Sequence, residues 1–222
     1  MTDFIQLTRE LCRIPTSIVA NGNEALFERL NAELPFQVFR YPSGSTHNGW
    51  EVPTEWRVEK AEIRRNGKVI YDGTQNVLGV AQYSQCFTGT VSLTELKQHL
   101  YFHPELPDAH VFHCSWLYKP WHHDWGFCPP ERLMSELVDG EYEVELITSF
   151  EPGEMLIGEH HKKGRLDITI VFQSNTCHPH MANDGFSGVA VFVRLLQWLA
   201  KQNTEYSYRL ILCPEHVGTV FY

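Results

Sequence analysis

The sequence predicts an α/β domain into which a smaller β-rich domain is inserted. Near the C-terminus, an apolar run at 166–172 leads through a polar loop to an apolar helical run at 189–200, and another apolar run follows at 208–213. A strand, a helix and a strand within this length form a βαβ unit, which predicts two parallel strands joined by a right-handed crossover. Between 42 and 130 the helical period is lost, while turn residues and tryptophans become frequent. That change indicates a separate, β-rich module.

The first part of the chain, residues 1–41, predicts two helices and a strand. Apolar residues recur at helical spacing over 4–14, and Pro15 ends the run. A second helix is expected at 23–34, with Asn21 or Asn23 as its cap. Residues 36–41 predict a strand. These elements open the α/β domain, which residues 131–222 continue.

The inserted segment, residues 42–130, predicts mainly strands and turns. The expected strands lie at 57–65, 68–71, 76–83 and 109–118. Asn66 and Gly67 predict a hairpin turn between the first two, because both central positions of a type I′ turn require positive φ. Ser92 and Glu95 form a capping box, which predicts a short helix that ends near residue 102.

The last part, residues 131–222, predicts the elements that carry the candidate site. A helix at 130–137 precedes two strands at 142–150 and 155–160, which are expected to pair with each other. The run at 166–173 is nearly continuous in apolar, β-branched residues, a pattern typical of a strand buried on both faces. A helix at 184–201 and a strand at 208–213 complete the βαβ unit.

Three residues of metal-binding type lie where this unit would bring them together. His178 follows the first strand, Asp184 opens the helix and Glu215 follows the second strand. Imidazole and carboxylate are ligands that zinc accepts, and an unligated glutamate can take a proton from bound water. Each also has a structural explanation: a helix cap for the aspartate, core or surface filling for the histidine, and a solvated loop for the glutamate. Spacing alone leaves both interpretations open.

Composition excludes several classes of partner. The formal charge of −9 argues against nucleic acid or an anionic membrane as the main partner. The 6 cysteines form no CxxC pair, and the polar N-terminus has no signal peptide, so we expect reduced thiols in a cytoplasmic protein. No apolar run reaches the roughly 18 residues of a membrane span.

The motifs CHPHMANDGFSG at 177–188 and PEHVGTVFY at 214–222 resemble an aminopeptidase-like family of polysaccharide-biosynthesis proteins. GWEVPTEW, GTVSLTEL and DWGFC, in this order, resemble the same family. The resemblance implies a phosphorylase/hydrolase-like zinc-peptidase domain with a small inserted β-rich domain. It further implies zinc as cofactor, a peptide or amide small molecule as substrate, and hydrolysis as the activity.

The resemblance also implies residue roles. His178 matches a metal ligand, Asp184 the aspartate that bridges two metals, and Glu215 the general base. Two positions depart from the related zinc aminopeptidases. His180 stands where they have an orienting aspartate, and His216 stands where they have a ligand glutamate, so His216 is a further candidate metal ligand.

The family's later ligands do not occur in this sequence, so we expect a truncated domain whose uncovered sheet self-associates into a homo-oligomer. The alternative function is a non-catalytic metal- or ligand-binding module in surface-polysaccharide biosynthesis, with tryptophans that stack on a sugar. The candidates are Trp50, Trp56 and Trp125, for which core packing is the structural explanation. The cluster of His122, His123 and Asp124 is either a metal site or an aromatic-packed loop.

Overall fold

A computed structural model describes residues 3–119 and 121–222. By its own contacts the chain divides into two units, one that runs up to Glu55 and resumes at Pro152, and another that spans Trp56–Glu151. The boundaries lie later in the chain than the predicted 42 and 130. The reason is that the segment after Pro42 bonds back to the first unit, where Ser43 N–H donates to Gly153 O at 2.8 Å.

The first unit contains a mixed sheet and four helices. Its elements are α1 (Phe4–Leu11), α2 (Gly22–Asn31), β1 (Gln37–Pro42), β2 (Thr46–His47), β3 (Trp50–Glu51), β8 (Glu154–Lys162), β9 (Thr169–Asn175), α5 (Ser187–Leu199), β10 (Ser207–Cys213) and α6 (Val217–Phe221). The four-stranded sheet has the order β1–β8–β10–β9. Only β9 and β10 are parallel, in a register that pairs Leu210 with Phe172. The predicted βαβ unit is confirmed.

Leucines of three helices build the core of this unit. Leu7 and Leu11 from α1, Leu30 from α2 and Leu196 from α5 are completely buried against Leu210 of β10. Burying each such side chain stabilises the fold by about 1.5–3 kcal/mol. This packing fixes α5 against the sheet and therefore fixes the loop that leads into α5.

The second unit is built on an antiparallel sheet. Its elements are β4 (Glu55–Arg65), β5 (Lys68–Asp72), β6 (Phe87–Ser92), α3 (Leu93–Gln98), α4 (Arg132–Glu136) and β7 (Glu141–Glu151). The strand order is β5–β4–β7–β6. Asn66 and Gly67 form the predicted hairpin turn, with φ of 51° and 73°. The predicted capping box is confirmed, since Ser92 Oγ accepts from the Glu95 N–H at 3.2 Å.

Two predicted strands of the inserted segment are wrong. Residues 76–83 form turns, because Asn76 Oδ1 accepts from the Leu78 N–H and Asn76 O accepts from the Gly79 N–H. Residues 109–118 are irregular and end in a short 3₁₀ helix, Ser115–Tyr118. Their apolar side chains are buried by packing on aromatic rings rather than by a sheet. Strand β6 was missed.

Two further expectations are corrected. The strands expected at 142–150 and 155–160 exist, but β7 pairs with β4 and β6, whereas β8 pairs with β1 and β10. The strand expected to be buried on both faces is β9, which is the last strand of its sheet. Ile170 and Val171 are 37% and 53% exposed. Within the described residues, no helix is both long enough and apolar enough to cross a membrane.

Candidate metal centre

The candidate site lies at the carboxyl ends of two neighbouring parallel strands. The loop after β9 carries His178 and Asp184, and the loop after β10 carries Glu215. The strand pairing continues for one more bond past the end of β9, where the Thr176 N–H donates to Cys213 O at 3.1 Å. Loops at this edge of an open α/β sheet converge, which is why such edges hold binding sites.

Cys177 ties the two loops together. Its Sγ accepts a hydrogen bond from the Glu215 N–H at 3.2 Å, and the thiol is buried. Burial raises the pKa of Cys177 to about 12. The thiol is therefore protonated at neutral pH in the metal-free protein, which argues against a nucleophilic thiolate here. Its contribution is to position the backbone of Glu215.

His178 is the centre of the cluster. Its side chain is only 6% exposed, and its Nε2 lies 2.9 Å from Glu215 Oε2 and 3.9 Å from Asp184 Oδ2. One ligand atom from each of these three residues lies within 4.8 Å of the others, and no other such group occurs in the part of the chain that is described. The structure thus brings together three of the predicted site residues.

Asp184 and the peptide after it are held by the last two residues of β9. Asn175 Nδ2 donates to Asp184 Oδ1 at 3.0 Å, which directs Oδ2 towards His178. Ser174 Oγ donates to Gly185 O at 3.0 Å, and the peptide bond between Asp184 and Gly185 is cis. Asp184 is not the helix cap that the structural explanation proposed, because α5 begins at Ser187 and Phe186 is its N-cap residue.

The two other histidines considered for the site, His180 and His216, lie outside this group. His216 Nε2 is 3.5 Å from Glu215 Oε1, and its ring stacks on Trp50 with centroids 6.0 Å apart and planes 4° apart. The role of His216 as a metal ligand stays a prediction. His180 is exposed, and its N–H donates to Cys12 O at 3.2 Å.

The other predicted candidates pack within the second unit. Trp125 lies between Phe87 and His99, with ring centroids 4.2 Å and 3.8 Å away. Trp56 stacks on Tyr83, and its Nε1 donates to Ser84 O at 3.0 Å.

The cluster around Asp124 is less compact than the candidate centre. His122 Nε2 lies 3.9 Å from Asp124 Oδ2, and His122 stacks on Trp116. Within the described part of the chain, these residues do not form a group of three side chains whose donor atoms converge as a metal site requires. It fits the aromatic-packed loop.

Sequence reasoning missed Asn175 and did not place Trp50 at the site. Asn175 orients Asp184, and Trp50, predicted only as a candidate for stacking on a sugar, stacks on His216 beside Glu215. Asn175 had a local signal, since it is the last residue of a strand that leads into the metal loop. The position of Trp50 had none, because its contact with His216 joins distant parts of the chain.

Residues 5–222 match the family model described as "Domain of unknown function (DUF4910)", and the chain belongs to this family. It is 34% identical over 219 residues to a protein of Clostridium acetobutylicum named as a polysaccharide biosynthesis protein with aminopeptidase-like domain. That match covers 98% of this chain and 50% of the relative. The chain therefore spans about half the length of the curated relative it matches.

Solved structures share the fold of this chain. A crystal structure from Clostridium acetobutylicum described as a peptidase matches with a TM-score of 0.85 and 33% identity, over 98% of this chain and 51% of that one. A zinc aminopeptidase from Bacillus subtilis matches with a TM-score of 0.58 and 12% identity, over 94% of this chain and 59% of that one. A peptidase M28 precursor from Shewanella amazonensis gives 0.56 and 11%, over 94% and 63%.

The last two likenesses show the fold alone. The predicted fold class is confirmed: the chain has the α/β fold of the zinc aminopeptidases, and its family relationship is aminopeptidase-like.

Proposed function

We propose that this chain contributes the centre of a zinc-dependent hydrolase that cleaves peptide or amide bonds of small molecules. One observation carries the proposal: His178, Asp184 and Glu215 converge within 4.8 Å at the carboxyl edge of the parallel strand pair. The family name of the Clostridium relative and the fold shared with zinc aminopeptidases support it.

The donor set fits zinc. The imidazole of His178 and the carboxylate of Asp184 are nitrogen and oxygen ligands of the kinds that hydrolytic zinc sites use, and the second carboxylate, Glu215, is left to act as general base. The Sγ of the neighbouring Cys177 accepts from the Glu215 N–H, and the group of converging donors does not include this thiol. The hydrogen bond from Asn175 to Asp184 fixes the carboxylate, as outer-shell partners do in metal sites.

The proposal assigns each residue a role. His178 and Asp184 would hold the metal, and zinc, when bound, would supply a Lewis acid that polarises the carbonyl and acidifies water. Glu215 accepts the proton of the attacking water and passes it to the leaving amine. Its Oε2 is within hydrogen-bond distance of His178 Nε2, so the carboxylate already lies beside the position from which it must act.

Metal analysis of the full chain tests the assignment independently of activity. We expect bound zinc in the wild type, and its loss in His178→Ala and Asp184→Ala. His123→Ala, which removes an exposed histidine of the second unit, serves as the matched control. Hydrolysis of leucine p-nitroanilide should stop with a chelator and return with zinc. A wild-type chain that binds no more zinc than the two site variants would overturn the proposal.

The second candidate function is a non-catalytic binding module in polysaccharide biosynthesis, which the printed name of the Clostridium relative favours. The structure weakens its original form, because Trp56 and Trp125 are engaged in internal packing. The second unit has a cavity of about 330 Å³, but the residues that line it include no tryptophan. Bound zinc without hydrolysis of any amide would favour this second function.

A further inference from the structure

Trp50 stands apart from the other tryptophans because it lies beside the candidate metal centre. It is half-buried on β3 and pairs with His47 of β2 across a two-residue turn. The turn residues Asn48 and Gly49 have φ of 49° and 82°, as a tight hairpin turn requires. The indole is therefore presented on a short, regular hairpin rather than on an irregular loop.

The base of this hairpin is anchored. Val52 is completely buried, its N–H donates to Ser45 O at 2.9 Å, and its carbonyl accepts from the Gly44 N–H at 2.8 Å. On the other side, His47 contacts the ring of Phe221 in α6 at a centroid distance of 5.8 Å. A preorganised aromatic residue loses little conformational entropy when a ligand packs on it.

The stack of Trp50 on His216 is offset. Parallel rings whose centroids are 6.0 Å apart overlap only at their edges, and the half-buried Trp50 and the exposed His216 both keep part of their surface open to solvent. His216 Nε2 lies 3.5 Å from Glu215 Oε1. The ring of His216 thus lies next to the proposed general base, and the ring of Trp50 lies one side chain further away.

The surface around the stacked rings of Trp50 and His216 is polar. His47, Glu51 and His216 are exposed, and Glu215 is about one-third exposed. An apolar amino-acid side chain would prefer a pocket lined by apolar groups. A sugar ring suits this surface better, because its C–H face packs on an indole while its hydroxyl groups donate to carboxylates and imidazoles.

We infer that Trp50 is a substrate-recognition residue that stacks on the sugar ring of an N-acylated amino sugar, an inference that rests on the proposed amide hydrolysis at the same site. Such a compound joins the ring that Trp50 fits to the amide bond that Glu215 would act on. In the reaction the C–N bond of the amide breaks and a C–O bond forms from water. The acyl group leaves as a carboxylic acid, and the nitrogen, with the proton from Glu215, leaves as the free amine of the sugar.

Binding of methyl N-acetylglucosaminide, measured by NMR titration with and without zinc, tests this inference apart from turnover. We expect Trp50→Leu to weaken binding about tenfold, or about 1.4 kcal/mol, because leucine lacks the flat face on which the sugar ring would pack. Trp50→Phe keeps a ring and should lose less, which also guards against a folding defect in the leucine variant. Trp121→Leu, which removes a tryptophan that is 75% exposed in the second unit, should bind like the wild type.

The outcomes separate the inference from the proposed function. Equal affinity in the wild type and Trp50→Leu overturns the role of Trp50, and so does a wild type that binds no glycoside. Tighter binding of phenylalaninamide, lost in Trp50→Leu, would overturn the sugar in favour of an aromatic side chain. If leucine p-nitroanilide is hydrolysed but no glycoside binds, the inference fails and the hydrolase stands. If Trp50 binds the glycoside but nothing is hydrolysed, the ring site stands and the hydrolase fails.

Discussion

Replacing Glu215 by glutamine separates its two possible contributions, to the fold and to the chemistry. Glutamine keeps the size of the side chain but removes the charge that faces His178 Nε2 at 2.9 Å. A hydrogen bond to a charged group contributes about 1.5–3 kcal/mol and a neutral one about 1 kcal/mol. Because Glu215 is 35% exposed, solvent screening reduces the difference, and we expect a loss of about 1 kcal/mol or less. For a chain of this size that lowers the melting temperature by about 2–4 °C.

The effect on hydrolysis should be far larger. A positioned general base contributes about 10²–10⁴-fold to a rate, which corresponds to about 3–5 kcal/mol of activation free energy. We therefore expect kcat for leucine p-nitroanilide to fall by this factor in Glu215→Gln. Zinc should remain bound, since His178 and Asp184 are unchanged. The measurements are kcat and zinc per chain of the zinc-loaded protein, and the thermal midpoint of the metal-free protein, in which His178 Nε2 can bond to Glu215.

Two results would refute this reasoning. Unchanged kcat in Glu215→Gln would remove Glu215 from the chemistry. Parallel loss of zinc and activity would make it a metal ligand instead of the base. Glu28→Gln is the matched control, because it removes one exposed carboxylate from α2 and should change none of the three quantities.

Three further predictions concern the support of the site and the packing around it. Asn175→Ala removes the hydrogen bond to Asp184 at 3.0 Å and should weaken zinc affinity about 10–100-fold, measured by competition with a chromophoric chelator. Gly158→Ala would place a Cβ 2.1 Å from Phe27 Cε1, and this overpacking should lower the free energy of unfolding by about 1–3 kcal/mol in urea denaturation. A thiol reagent at pH 8 should label the exposed Cys86 quickly but the buried cysteines only after unfolding, because burial raises their pKa and keeps them protonated below it.

Each of these has its own control. Asn203→Ala removes an exposed asparagine and should bind zinc like the wild type. If the Asn203→Ala and Asn175→Ala variants bind zinc equally well, the hydrogen bond from Asn175 is unimportant for zinc affinity. Gly89→Ala meets only the ring of Phe87 at 3.3 Å, so it should cost less than the substitution in β8. Cys86→Ser should abolish the fast labelling phase, and a fast phase that survives would assign the reactivity to a different thiol.

The strand, helix and strand around the metal loop could be predicted from the sequence because their signals are local. The apolar runs at 166–172 and 208–213 and the helical run between them are enough to place His178 and Glu215 at one edge of a sheet. What such runs do not encode is how far a strand is covered. Strand β9 is rich in β-branched residues, yet Val171 is 53% exposed, because β9 is the last strand in the order. Coverage depends on neighbours that lie elsewhere in the chain.

The inserted segment was harder to predict because its apolar residues are buried without a sheet. Val80 is 5% exposed but makes only an isolated bridge to Phe127. A side chain on Gly79 would lie 2.2 Å from Gly73 O, so this turn brings two backbone segments into direct contact. Burial of this kind follows from turn geometry and aromatic packing, and a period-2 pattern does not distinguish it from a strand.

Trp50 shows why a sequence can predict one part of a site and not the other. The metal-binding half lies on one βαβ unit, where spacing along the chain determines spacing in the fold. The wall beside it comes from the hairpin at 46–51, which reaches His216 only because β1, just before the hairpin, pairs with β8 next to β10. A substitution in that hairpin should therefore change what the site binds and leave the metal group intact, whereas a substitution of Asn175 should do the reverse. Zinc affinity and glycoside affinity, measured on the same two variants, separate these parts of the site.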